Sequence, residues 1–128
     1  MIKISRALAV VLAGVFVLAG CALGTSQSYE SESVSVSAET IVIDVRTPQE
    51  FADGHLEGAI NLDYNGGVFQ EQLATLDPDA DYLVYCKSGN RASQAEALMR
   101  SAGVSAVRNI GSLETAREVT GLEVTSDR

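Results

Sequence analysis

Three short runs of β-branched and aromatic residues constrain this chain most: IVIDV (Ile41–Val45), YLVYC (Tyr82–Cys86) and AVRNI (Ala106–Ile110). Runs of this length without clear apolar/polar alternation suit strands covered on both faces. Helical patterns lie between them. Phe69, Leu73 and Leu76 recur at about one turn, Ala95, Leu98, Met99 and Ala102 share one face, and Glu96 and Arg100 pair at i,i+4. Strand, helix, strand, helix, strand demands a parallel sheet with right-handed crossovers and helices on both faces, a small three-layer α/β domain.

Local signals punctuate this pattern. Thr47 caps a short helix, with Pro48 at its first position and Glu50 completing a capping box, and Gly54 ends it. GAINL (Gly58–Leu62) reads as a further short strand, Asn65 to Gly67 as a turn, and Asp77 to Asp81 as a turn built on Pro78. Gly103 stops the helix that carries Ala95 to Ala102, and a last one is expected near Leu113 to Val119.

The chain divides into four parts: residues 1–20, 21–39, 40–120 and 121–128. Lys3 and Arg6 precede an uncharged run from Ala7 to Leu18 that closes on Leu18, Ala19, Gly20 and Cys21. This is an export signal ending in a sequence that resembles the lipobox of bacterial lipoproteins, in which the cysteine is lipidated and becomes the first residue. A permanent membrane helix is the competing reading. Small residues before Cys21 and a polar segment without a basic stop favour cleavage, and either reading places the remainder outside the cytoplasm. The expected location is therefore the bacterial cell envelope, with the domain tethered to a membrane.

Residues 22–39, rich in Ser and Glu, read as a flexible tether, with SVSVS a weak candidate for an edge strand. Residues 121–128 read as a polar tail. Cleavage before Cys21 would remove two of the nine cations, leaving seven against 17 acids, a balance of −10. Such a surface excludes a nucleic-acid partner, which needs a basic footprint, and suits a soluble monomer.

With Cys21 lipidated, Cys86 has no partner for a disulfide. It ends a strand, where ligands of open parallel sheets bind. Lys87, Ser88, Gly89, Asn90 and Arg91 follow it. Gly and Asn tolerate the left-handed conformations of a sharp turn, so the backbone N–H groups of this loop can converge on the sulfur. The N-terminus of the next helix, the loop amides and the cations Lys87 and Arg91 all favour thiolate over thiol, and the thiolate is the nucleophile. No Lys or Arg lies between Arg46 and Lys87, whereas eight acids do, so an anionic substrate would be attracted only locally. A cysteine at the end of a buried strand can equally be a small apolar residue.

DVRTPQEFADGHLEGAIN (Asp44–Asn61) and YCKSGNRA (Tyr85–Ala92) together resemble a rhodanese domain of the single-domain type, over about Ile41 to Ala116. The resemblance implies a sulfurtransferase. Cys86 matches the catalytic cysteine, which takes a sulfane sulfur from a donor such as thiosulfate, holds it as a persulfide and passes it to a thiol or cyanide-like acceptor. Lys87 to Arg91 match the rest of the six-residue loop whose amides cradle the outer sulfur. Related dual-specificity phosphatases have a seven-residue loop, so this one is too tight for phosphate. Gly111, Ser112 and Leu113 stand where many members have two glycines and a tryptophan, and the strand and helix that often precede the DVR segment are missing.

Other candidates carry less chemistry. Asp44, Arg46 and Glu50 could form an acid–base set, but Arg46 is better read as a structural partner of Glu50. His55 is the only histidine, so no metal cluster is expected. Its GH dipeptide matches a structural turn of the family, with a general-base role as a minor alternative. No phosphate-binding glycine fingerprint occurs, and no cofactor is expected. Two functions of other classes compete with the enzyme: a catalytically silent module that binds an anion or a partner protein, and an oxidant-sensing thiol.

Overall fold

A computed structural model describes residues 32–127. The export signal and Cys21 lie outside the described residues. Within them, no helix is long and apolar enough to cross a membrane.

Four parallel strands form the sheet: β1 (Ile41–Asp44), β3 (Ile60–Asn61), β4 (Asp81–Cys86) and β5 (Ala106–Ser112), in the order β3-β1-β4-β5. A separate antiparallel pair joins β2 (His55–Leu56) to β6 (Val124–Thr125). The helices are α1 (Pro48–Asp53), α2 (Val68–Gln72, continued by a 3₁₀ turn at Leu73–Thr75), α3 (Asn90–Ser101) and α4 (Leu113–Thr120). This is the parallel α/β layout that the strand runs predict.

Both faces of the sheet are covered, and β4 shows how. Tyr82, Val84 and Cys86 enter one cluster with Ile43, Val45, Phe69 of α2 and Ala92, Ala95 and Met99 of α3. Leu83 and Tyr85 enter the other, with Val42, Leu56, Ile110 and Ala116 of α4. Successive side chains of a strand point to opposite faces, so a strand buried on both sides must be apolar throughout.

The capping box of α1 forms as its sequence predicts. Glu50 N donates to Thr47 Oγ1 at 3.3 Å, and Thr47 N donates to the Glu50 carboxylate at 2.9 Å. The helix ends at Gly54, whose N–H reaches the Phe51 carbonyl. At the other end of the domain, Ser112 caps α4 by accepting from Thr115 N at 3.1 Å.

Several expectations change. β5 is an edge strand rather than a buried one: Val107 and Ile110 are buried, but Ala106 and Arg108 are exposed, because only β4 pairs with it among the described residues. Ala102 is exposed, since α3 stops at Ser101, and Gly103 turns the chain at φ +97°. GAINL contributes only two strand residues, Ile60 and Asn61.

The packed part also reaches further at both ends than residues 40–120. Val34 and Val36 lean on the second cluster, and Val34 N–H donates to the Val119 carbonyl at 2.8 Å. The SVSVS alternation thus turns valine inward and serine outward without forming a strand. At the C-terminus, β6 lies in what reads as a polar tail, and Asp127 N–H donates to the Ala52 carbonyl at 3.2 Å.

Candidate active site

The C-terminal ends of β1 and β4 bring the DVR corner and the cysteine loop side by side. Cys86 is the last residue of β4, fully buried within the α3-side cluster. Lys87 and Ser88 are exposed, and Gly89 turns the chain at φ +91° to become the N-cap of α3. Its N–H donates to Cys86 Sγ at 2.9 Å. The left-handed conformation belongs to Gly89 alone. Asn90, expected to share it, is the first helical residue, and no non-glycine residue among the described residues has positive φ.

A second layer fixes this loop from β5. Asn109 Nδ2 donates to the Gly89 carbonyl at 3.1 Å, while its Oδ1 accepts from Gly111 N at 2.8 Å. Its own N–H donates to the Glu96 carboxylate at 3.1 Å. Val84 pairs with Asn109 but Cys86 with Ser112, so β5 carries one extra residue beside the site. This bulge, with Gly111 at φ +86°, delivers the carbonyl-binding side chain of Asn109 to the loop. Sequence reasoning passes over Asn109; a polar residue inside an apolar run was the available signal.

The charged residues pair differently from expectation. Arg46 does not reach Glu50. It closes back on Asp44, with Nη2 donating to Oδ2 at 2.7 Å and Nε to Oδ1 at 3.0 Å, and also donates to the Gly54 carbonyl. Two residues apart on a turning chain, a buried carboxylate and guanidinium satisfy each other and need no distant partner. Asn61 Nδ2 ties the same corner to β3 by donating to the Asp44 and Arg46 carbonyls. The Arg46 guanidinium lies 5.7 Å from the Tyr85 ring centroid, and the Tyr85 hydroxyl accepts from Leu56 N at 3.0 Å. Burial, then the charge of Asp44, pushes the Tyr85 phenol upward, so it stays neutral.

Glu50 instead holds Arg91. Nη1 donates to Oε2 at 3.0 Å and Nη2 to Oε1 at 3.3 Å, a two-pronged ion pair between α1 and the start of α3. The hydrogen bond from Arg91 is the largest reason the Glu50 carboxyl is lowered from 4.5 to about 2; the Thr47 N–H adds to it. The same bond holds the Arg91 guanidinium above its ordinary range, with a further contribution from the charge of Glu50.

His55 is buried outside this group. Its ring stacks on Phe51 with centroids 3.6 Å apart, and Nδ1 donates to the Phe51 carbonyl at 2.7 Å. Among the described residues no group of His, Cys, Asp and Glu is placed to hold a metal ion. The arrangement thus offers one sulfur under a backbone donor, with a helix start beside it and Lys87 and Arg91 in the same loop.

A rhodanese-like domain model matches residues 30–115. Thiosulfate sulfurtransferase PspE of Escherichia coli is 34% identical over 84 residues, covering 64% of this chain and 79% of that protein. Thiosulfate sulfurtransferase 18 of Arabidopsis thaliana is 38% identical over 106 residues, covering 68% and 78% respectively. Among solved structures, a rhodanese with anions from E. coli superimposes with a TM-score of 0.59 and 28% identity, over 68% of this chain and 98% of that one.

Proposed function

The chain belongs to the rhodanese-like family, and from that premise we propose that it is a sulfurtransferase with Cys86 as its nucleophile. The Cys86 thiolate attacks the sulfane sulfur of a donor such as thiosulfate; the donor's S–S bond breaks, sulfite leaves with the bonding pair, and the cysteine becomes a persulfide. A thiol or cyanide-like acceptor then takes the outer sulfur and returns the thiolate. The observation that carries the reading is the Gly89 N–H aimed at Sγ at 2.9 Å from the left-handed turn that opens α3. A backbone donor fixed by the fold stabilises a charged sulfur without reorganising during the reaction.

Arg91 supports sulfur over phosphate chemistry. In the related phosphatases the loop arginine grips the phosphate, whereas here both of its forward nitrogens are committed to Glu50. Full burial of Cys86 favours a second reading, the silent binding module, because a thiol closed over in this conformation meets a donor only after the loop opens. One experiment separates the two: intact mass of the full chain after thiosulfate, beside Cys86→Ser. The enzyme gains one sulfur atom that cyanide removes and that the variant never acquires. A reduced, folded protein that gains no sulfur from thiosulfate or other sulfane donors is a binding module.

For the remainder of the chain, lipidation at Cys21 and an extracytoplasmic position follow from the lipobox-like segment. Cys21→Ser should move the protein from the membrane fraction to the soluble fraction or leave it unprocessed.

A further inference from the structure

Six cations lie among the described residues: Arg46, Lys87, Arg91, Arg100, Arg108 and Arg117. Three are held by carboxylates, Arg46 by Asp44, Arg91 by Glu50 and Arg100 by Glu96. Lys87, Arg108 and Arg117 have no carboxylate partner among the described residues. Two of these three, Lys87 and Arg117, line the same cavity of about 550 Å³.

This cavity opens between the cysteine loop, the first two turns of α4 and β6. Lys87 is the residue after Cys86, about 3.8 Å along the chain between Cα atoms. Arg117 faces it from α4, Leu113 and Val124 supply apolar walls, and Glu114 places one carboxylate at the edge. Arg46 also borders the space, but its charge is already met by Asp44. Two unpaired cations against one anion leave the wall positive, on a protein whose overall charge is −8.

The volume falls within the roughly 300–1,000 Å³ typical of sites for organic ligands. An inorganic donor such as thiosulfate would leave most of it empty. Apolar walls with a positive end call for an organic molecule carrying carboxylates. We propose that Lys87 and Arg117 form the acceptor subsite, which selects a carboxylate-bearing thiol and brings it to the loop that holds Cys86. The inference rests on the sulfurtransferase reading and names the class of its second substrate. It also relocates the second cation of the substrate field: Arg91 is occupied by Glu50, and Arg117 takes that part.

The step balances without an oxidant. The acceptor thiolate attacks the outer sulfur, a new S–S bond forms, the persulfide S–S bond breaks, and its electron pair returns to Cys86 as thiolate. The proton of the protein persulfide leaves on the acceptor persulfide.

The test uses the full chain, charged with thiosulfate, freed of excess donor and checked by intact mass for one added sulfur. Discharge is then timed with mercaptosuccinate and with 2-mercaptoethanol, each rate expressed per thiolate. The wild-type protein should favour mercaptosuccinate. Arg117→Gln should reduce that preference about fivefold, as expected for an exposed charge-assisted contact. Arg117→Lys should restore most of it. Arg108→Gln removes an equally unpaired arginine elsewhere and should leave the preference as it was. Equal preference in wild-type and Arg117→Gln proteins overturns the subsite while the persulfide stands. Failure of Cys86 to acquire sulfur from any sulfane donor overturns the sulfurtransferase reading and the subsite together.

Discussion

Glu50 closes two circuits at once. Its carboxylate accepts from the Thr47 N–H to complete the cap of α1, and from both forward nitrogens of Arg91 at the start of α3. The pair is only partly exposed, so solvent screens it incompletely. A carboxyl lowered from 4.5 to about 2 contributes its stability in full above pH 4.5 and loses it as pH falls towards 2. Glu50→Gln should therefore destabilise the protein by about 1–2 kcal/mol at neutral pH after allowance for that exposure. Urea midpoints of both proteins, measured from pH 7 down to pH 2, should converge between those two values. A gap that persists at low pH would assign the loss to packing instead. From sequence, Glu50 reads as a structural partner of Arg46, four positions away. The true partner is 41 positions away, and only the fold brings α1 and α3 together.

At the scale of the elements, what is local is legible and what depends on position in the sheet is not. The capping box, the stops at Gly54 and Gly103 and the doubly buried strand Tyr82–Cys86 all follow from spacing within a few residues. The pairing of β2 with β6 does not, because two-residue strands carry no period. Nor does the exposure of β5, since nothing in AVRNI tells that no strand flanks it among the described residues. The bulge in β5 matters most for the site. Asn109 links Gly89, Gly111 and Glu96 through three hydrogen bonds, two of them made by its side chain. Asn109→Ala removes those two and leaves the Gly111 N–H and the Gly89 carbonyl without that partner, at about 1–3 kcal/mol. Because the Gly89 N–H caps Cys86 Sγ, persulfide loading should slow along with the fall in stability. Gly89→Ala tests the same loop from within: an alanine at φ +91° costs about 1 kcal/mol or more of backbone strain, and loading by thiosulfate should fall again.

The whole molecule is two cores sharing one sheet, and they are closed differently. The cluster that contains Cys86 lies under α2 and α3, both of which follow the DVR corner in sequence. The opposite cluster has α4 over it and also uses Val34 and Val36, from a segment whose composition reads as tether. Serine-rich sequence hides such a contribution, because serine is a poor strand former and makes the SVSVS alternation only a weak signal. If they help to close the second core, Val34→Ser with Val36→Ser should destabilise the protein by about 1–2 kcal/mol, the scale of two half-buried valines. The Val34 backbone bond to Val119 would remain available, so the loss reports side-chain packing. Cys86 belongs to the other cluster, and sulfur loading per folded molecule should stay within about twofold of wild type. A urea midpoint equal to wild type would return residues 34–36 to the tether. A lowered midpoint with intact loading places the domain's true start at Val34 and shows that the sheet insulates the sulfur site from the edge of the other core.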